Sequence, residues 1–149
     1  MLGVGDTAPD FTLADQAGDD RTLTQVLDDG PCVIYFYPAD FSPVCTAQTC
    51  TFRDRFDDLQ DVGVQIIGIS PQGVSTHKRF AEQYKVPFPL LADPRKQVVR
   101  AFGVDGPLGF GVRRATFLIN PHREVRSRVV SDLLLGSHRD LITEAISAA

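Results

Sequence analysis

Cysteine is a nucleophile only as the thiolate, so a thiol matters for chemistry where its surroundings favour negative charge. In this chain the segment Pro38-Ala-Asp-Phe-Ser42-Pro-Val-Cys45 follows directly on the apolar run Cys32-Val-Ile-Tyr-Phe-Tyr37. Val33 to Tyr37 is β-branched and aromatic, long enough for a buried strand, and Pro38 stops it. Ser42 and Pro43 then read as helix entry, Ser42 as a cap and Pro43 at the first helical position, which puts Cys45 in the first turn. There its sulfur meets unpaired backbone N–H groups and the positive end of the helix dipole, both of which favour thiolate. A second thiol, Cys50, follows with four residues between. In an ideal helix, with a rise of about 1.5 Å and a turn of about 100° per residue, their Cα atoms lie roughly 8.6 Å apart on opposite sides. A disulfide needs less than about 7 Å. Any bond between Cys45 and Cys50 therefore requires the start of that helix to unwind.

The elements that must hold these residues alternate along the chain. Val64 to Ile69 and Ala115 to Ile119 read as buried strands, and Val125 to Val130 as a strand with polar alternation at Arg126 and Arg128. Helical periodicity covers Cys45 to Leu59, with Phe52, Phe56 and Leu59 on one face, then Val74 to Tyr84, Arg95 to Phe102 and His138 to Ile146. Gly30-Pro31, Gly63, Pro87 to Pro89, Asp105-Gly-Pro107 and Asn120-Pro121 punctuate them. This alternation predicts an α/β sandwich, with a hairpin-like segment from Thr12 to Thr24 before it. No internal repeat, low-complexity tract or linker is present, and residues 1–149 read as one domain of ordinary size.

Pro38-x-x-x-Ser42-x-x-Cys45 resembles the Pro-x-x-x-(Thr/Ser)-x-x-Cys signature of the peroxiredoxins, and Cys50 is similar to the resolving cysteine of their PrxQ, or bacterioferritin comigratory protein, subfamily. The likeness spans nearly the whole chain. Gly5 to Leu13 resembles the family's opening segment, Cys50-Thr-Phe-Arg-Asp54 its first-helix continuation, and Ser70-Pro71 with Phe88 to Asp93 its central elements. Gly111-Val-Arg-Arg114-Ala-Thr-Phe-Leu-Ile119 looks like the strand that carries its active-site arginine, which by position is Arg114, with Arg113 its neighbour. Where PrxQ members commonly read Lys-Asp-Asp-Thr-Pro-Gly-Cys, this chain reads Ala39-Asp-Phe-Ser-Pro-Val-Cys45, so Phe41 and Val44 make the rim more apolar, closer to AhpE-type one-cysteine members.

The resemblance implies a thioredoxin-like fold, a central mixed sheet flanked by helices with an N-terminal extension. It also implies reduction of hydrogen peroxide and organic hydroperoxides without metal or organic cofactor. In that scheme Cys45 attacks the peroxide and becomes a sulfenic acid, Arg114 stabilises the moving charge, the Ser42 hydroxyl orients the peroxide and Pro38 shields the sulfur. Cys50 then forms a disulfide with Cys45, which thioredoxin or a glutaredoxin-like dithiol protein reduces. PrxQ-like proteins are often monomeric and AhpE-like ones dimeric, and the chain resembles both, so the resemblance implies a monomer or weak homodimer. Phe41 is read as core, or as an apolar lip for a reductant or a second subunit.

Other readings of the same residues stay open. A thioredoxin-fold disulfide reductase would use Cys-x-x-Cys at the helix start and has no use for Arg114. A non-enzymatic redox sensor, or a one-cysteine peroxidase served by an external thiol, would use Cys45 in the same way. Cys32, inside the strand run, reads as inert packing. His77, His122 and His138 are scattered, read as surface residues and lack metal-ligand spacing. A formal net charge of −4 with no Lys or Arg block argues against nucleic acid as a partner. No apolar stretch reaches membrane-spanning length and the N-terminus lacks a signal-peptide layout. Three cysteines do not make a secreted disulfide framework, and the expectation is a cytoplasmic protein.

Overall fold

Both faces of the central strand are apolar because both are covered. In the computed structural model, which describes residues 1–131 and 135–148, β3 (Cys32–Phe36) is buried at every position. Its side chains alternate: Cys32, Ile34 and Phe36 enter one core, while Val33 and Tyr35, with Tyr37 beyond the strand, enter the other. The strand lies in the middle of a five-stranded sheet. It pairs in parallel with β4 (Gln65–Ser70), which pairs in parallel with β5 (Leu90–Ala92). On its other side it pairs antiparallel with β6 (Ala115–Ile119), and β7 (Val125–Val130) closes that edge. The order is β5-β4-β3-β6-β7, a mixed sheet flanked by helices, as expected. Gly68 in β4 allows close approach: a Cβ there would stand 2.8 Å from the Tyr35 ring and 2.9 Å from Leu90.

On one face lie α1 (Leu23–Leu27) and α5 (Gln97–Ala101), with Phe102 set between Phe36 and Phe117 at ring separations of 5.1 and 5.4 Å. The hairpin of β1 (Thr12–Ala14) and β2 (Asp20–Thr22) precedes them, inside the segment expected to be hairpin-like. On the other face lie α2 (Pro43–Asp54), α3 (Phe56–Asp61), α4 (Val74–Tyr84) and α6 (Leu135–Ala148). The bounds agree with the sequence reading for α4, β6 and β7 and lie within a few residues of it for β3, β4, α5 and α6, whereas α1 and β5 were not read from the sequence as a helix and a strand.

One helix differs. The periodic stretch Cys45 to Leu59 is two helices, broken at Arg55, whose backbone sits at φ −100°, ψ 3°. No proline or glycine marks the break. Tertiary packing sets it: Phe52 lies edge-on to Tyr35 at 4.6 Å, while Phe56 faces Phe88 at 6.3 Å.

Candidate active site

The end of β3 delivers the chain to a turn that is held from below. Asp40, nearly buried, receives a hydrogen bond from the Tyr37 hydroxyl at 2.6 Å and pairs with His77 Nδ1 at 2.5 Å, and its backbone N–H donates to Gln72 Oε1 at 2.6 Å. His77 Nε2 faces the Leu91 carbonyl at 3.1 Å. Oxygen atoms thus meet both ring nitrogens of the buried His77 and fix the orientation of its ring. Burial and the Asp40 charge push the Tyr37 hydroxyl well above its ordinary pKa, so it stays a donor. The next residue, Phe41, has φ 65°, a left-handed conformation that side chains rarely adopt. Its ring is half exposed yet rests on Phe80 and Tyr84, at 5.1 and 6.4 Å.

Ser42 then occupies the N-cap position of α2 in extended conformation, and its carbonyl accepts from the Thr46 N–H at 2.9 Å. The expected side-chain cap is not made. The Ser42 hydroxyl donates instead to the Ala39 carbonyl at 3.1 Å, which ties the turn together and leaves its lone pairs available as acceptors. Pro43 is the first helical residue and Cys45 the third, as the sequence indicated.

Cys45 is 1% exposed, and Arg114, 5% exposed, donates from Nη2 to its Sγ at 3.2 Å. Arg114 stands just before β6, the neighbour of β3, so the antiparallel pairing Phe36↔Ala115 is what brings position 114 to the start of α2. Arg113 is half-buried and its N–H is spent on the Val104 carbonyl at 2.7 Å. The structure therefore sets the expected arginine of the two against the sulfur. A guanidinium and the first-turn amides of a helix, converging on one buried sulfur, stabilise negative charge there and on an oxygen bound beside it.

A residue the sequence reading missed completes this group. Gln48 is 1% exposed and its Oε1 accepts from Arg114 Nη1 at 2.7 Å. Arginine only donates, so the amide must present its oxygen, and Nε2 is left without a partner among the described residues. The signal was available: position 48 is three residues past Cys45, on the same helix face.

The remaining candidates lie elsewhere. Cys50 is half-buried in the same unbroken helix as Cys45, so the two free thiols stand on opposite sides of α2. Pro38 is exposed and lines a cleft that also reaches Arg114. Cys32 points into the core on the far face of the sheet, where burial pushes its thiol well above its ordinary pKa. It cannot meet Cys45 while the sheet is intact. Two histidines read as surface residues are buried, His77 at 0% and His138 at 1% exposure. The reason is hydrogen bonding: His77 pairs as above, and His138 meets Thr116 Oγ1 at 2.7 Å and the Ser131 carbonyl at 2.9 Å.

Comparison with known proteins agrees with this geometry. Residues 4–128 match the AhpC/TSA family model. A putative peroxiredoxin of Mycobacterium tuberculosis is 40% identical over 142 residues, 93% of this chain and 92% of the relative. The chloroplastic peroxiredoxin Q of Arabidopsis thaliana is 42% identical over 147 residues, 97% of this chain and 67% of the relative. Among solved structures, the crystal structure of peroxidoxin BcpB from Mycobacterium tuberculosis superposes with a TM-score of 0.92 at 38% identity, covering 99% of this chain and 98% of the other.

Proposed function

Since this chain belongs to the AhpC/TSA family, with relatives of the peroxiredoxin Q subfamily, and is a thiol peroxidase, we propose that Cys45 is its attacking thiol and Cys50 its resolving thiol. The observation that carries this is the 3.2 Å contact from Arg114 Nη2 to a buried sulfur in the first turn of α2. The Cys45 thiolate attacks the terminal oxygen of a hydroperoxide, the O–O bond breaks, and the other oxygen leaves as water or an alcohol after taking a proton. Sulfur is oxidised by two electrons to a sulfenic acid and the peroxide is reduced by two. Arg114 and the amides near Val44 and Cys45 hold the charge as it moves from sulfur to oxygen. Gln48 orients the guanidinium, and the Ser42 oxygen accepts the peroxide hydrogen. Pro38 limits access of water from the cleft.

The Cys50 thiol then displaces water from the sulfenic acid, which requires the first turns of α2 to open. An external dithiol protein of the thioredoxin or glutaredoxin kind reduces the disulfide by exchange. Residues 1–149 act as one domain, as a monomer or weak homodimer, and a reducing cytoplasm suits a thiol that cycles. The test is to add one equivalent of hydrogen peroxide to the reduced protein and map its peptides by non-reducing mass spectrometry. A linked Cys45–Cys50 peptide is expected. Unmodified Cys45, or a pair that includes Cys32, would sink the assignment.

A further inference from the structure

The stretch of α2 between the two thiols is tied to the central strand by one pair of hydroxyls. Tyr35 of β3 is fully buried and its hydroxyl meets Oγ1 of Thr49, equally buried, at 3.0 Å. The ring is wedged by the sheet itself. Tyr37 stacks on it at 5.4 Å, Phe88 stands edge-on at 6.1 Å, and a Cβ on Gly68 would lie 2.8 Å from the Tyr35 oxygen. Burial, with the charges that Asp40, Cys45 and Cys50 carry when ionised, pushes the phenol well above its ordinary pKa, so it keeps its proton. Gln48 also ties this stretch down, but to Arg114 and so to the sulfur site. The Thr49 bond involves neither the sulfur nor the arginine.

That bond belongs to the closed helix alone. Thr49 directly precedes Cys50, and the unwinding that brings the two sulfurs within disulfide reach swings it away, while the phenol, wedged against β4, stays with the sheet. Both hydroxyls then turn to water. The closed form is therefore favoured by the net worth of one intramolecular hydrogen bond, a factor of about 2 to 13 in the closed-to-open ratio. The sulfenic acid has a different fate in each form. In the closed helix a second peroxide oxidises it to the sulfinic acid: sulfur loses two more electrons, and the peroxide, reduced by two, leaves as water or an alcohol. In the open helix the Cys50 thiol displaces water from it and forms the disulfide.

We propose that the Tyr35–Thr49 hydrogen bond sets how the Cys45 sulfenic acid divides between disulfide and sulfinic acid, Tyr35 being a positioning residue for resolution rather than for attack. This rests on the reading of Cys45 as the attacking thiol and Cys50 as the resolving one. Attack depends on the closed fraction, which stays near one when a rare opening becomes a few-fold less rare. Resolution depends on the open fraction and rises in proportion to it.

The test uses the full chain, reduced. Mixing with hydrogen peroxide and quenching with an alkylating reagent gives the rate of Cys45 oxidation, and intact mass at rising peroxide excess gives the ratio of sulfinic acid to disulfide. Tyr35→Phe keeps the ring and removes the oxygen; it should lower that ratio about fivefold and leave the oxidation rate within about twofold. Thr49→Val should shift the ratio the same way, and Thr49→Ser, which keeps the hydroxyl, should stay near the unaltered chain. Tyr35→Phe combined with Thr49→Val should shift it no further than the larger single change. A ratio unchanged or raised in the single variants overturns the proposal. Additive shifts overturn it too, because the hydroxyls would then act separately, and so does an oxidation rate that falls along with the ratio, which would place Tyr35 in the thiol site itself. If Tyr35→Phe does not fold, Thr49→Val removes the same bond from the helix side and carries the test. An unaltered chain that forms no Cys45–Cys50 disulfide would refute the assignment of the thiols, a result distinct from a disulfide that forms equally in every variant.

Discussion

Arg114→Met keeps an unbranched side chain of similar length and removes one cation from beside the sulfur. Nη2 stands 3.2 Å from Cys45 Sγ, a separation at which two unit charges attract by roughly 5 kcal/mol at an effective dielectric of about 20. Attraction in the ground state does not by itself accelerate a reaction. What counts is the part that grows as charge passes from sulfur to the departing oxygen, and loss of one preorganised donor in that role typically costs about 10²- to 10³-fold in rate. The same substitution takes the partner from Gln48, whose Oε1 is 2.7 Å from Nη1, and so leaves a buried amide with neither of its groups satisfied, at a further cost of about 1–3 kcal/mol in stability. The assay is the second-order rate of Cys45 oxidation by hydrogen peroxide, measured below the unfolding temperature of the variant, with Arg113→Met in parallel. Arg113→Met should be the milder change. A loss below about threefold for Arg114→Met, or a greater loss for Arg113→Met, refutes the assignment of the arginine.

Cys50→Ser should consume one equivalent of peroxide and then stop as a sulfenic acid, passing to the sulfinic acid with excess peroxide, which intact-mass measurement resolves; sustained turnover with thioredoxin would show that Cys50 is only packing. Hydrogen exchange should find the amides of residues 42–52 less protected in the disulfide form than in the reduced form and those of β4 unchanged, and equal protection throughout would contradict the requirement that α2 open. His77→Gln should cost about 3–5 kcal/mol in urea unfolding, because it strands the buried Asp40 carboxylate, and Asp40→Asn added to it should recover part of the loss; a single-variant cost under about 1 kcal/mol would mean that the pair is not ionic.

The sequence announced what depends on local pattern. The strand that ends at Pro38, the Ser42-Pro43 helix entry and α4 from Val74 to Tyr84 follow from periodicity and from residues with fixed backbone preferences. The choice of Arg114 over Arg113 came from a resemblance, and its physical basis is strand register, which no local pattern displays. The break at Arg55 and the positive φ of Phe41 were illegible because each is imposed by aromatic packing from other elements. The buried histidines were misjudged for a different reason. His77 lies at helical spacing with Phe80, Ala81 and Tyr84, a stripe that marks it as facing inward, but its carboxylate partner is 37 positions away.

On the proposed roles of Cys45 and Cys50, two demands on the start of α2 oppose each other, and the contacts around it suit both. Attack needs the sulfur held against Arg114, and the helix supplies this through Gln48, through Thr49, which meets the Tyr35 hydroxyl at 3.0 Å, and through Phe52 packed on the Tyr35 ring. Resolution needs the same turns to unwind. Of the contacts that tie Cys45 in place, the one to Arg114 depends on negative charge at sulfur, and that charge is lost when the thiolate becomes a neutral sulfenic acid. Oxidation thus weakens a contact that opposes unwinding. Asp40 and His77, on the near side of Ser42, are untouched by the change and keep the turn anchored while the helix beyond it opens. On this reasoning His77→Gln, at a temperature where it remains folded, should raise exchange of residues 42–52 in the reduced protein, so that part of the difference between the two redox forms disappears. If the reduced variant protects that segment as well as the unaltered chain does, the anchor has no part in holding α2 closed.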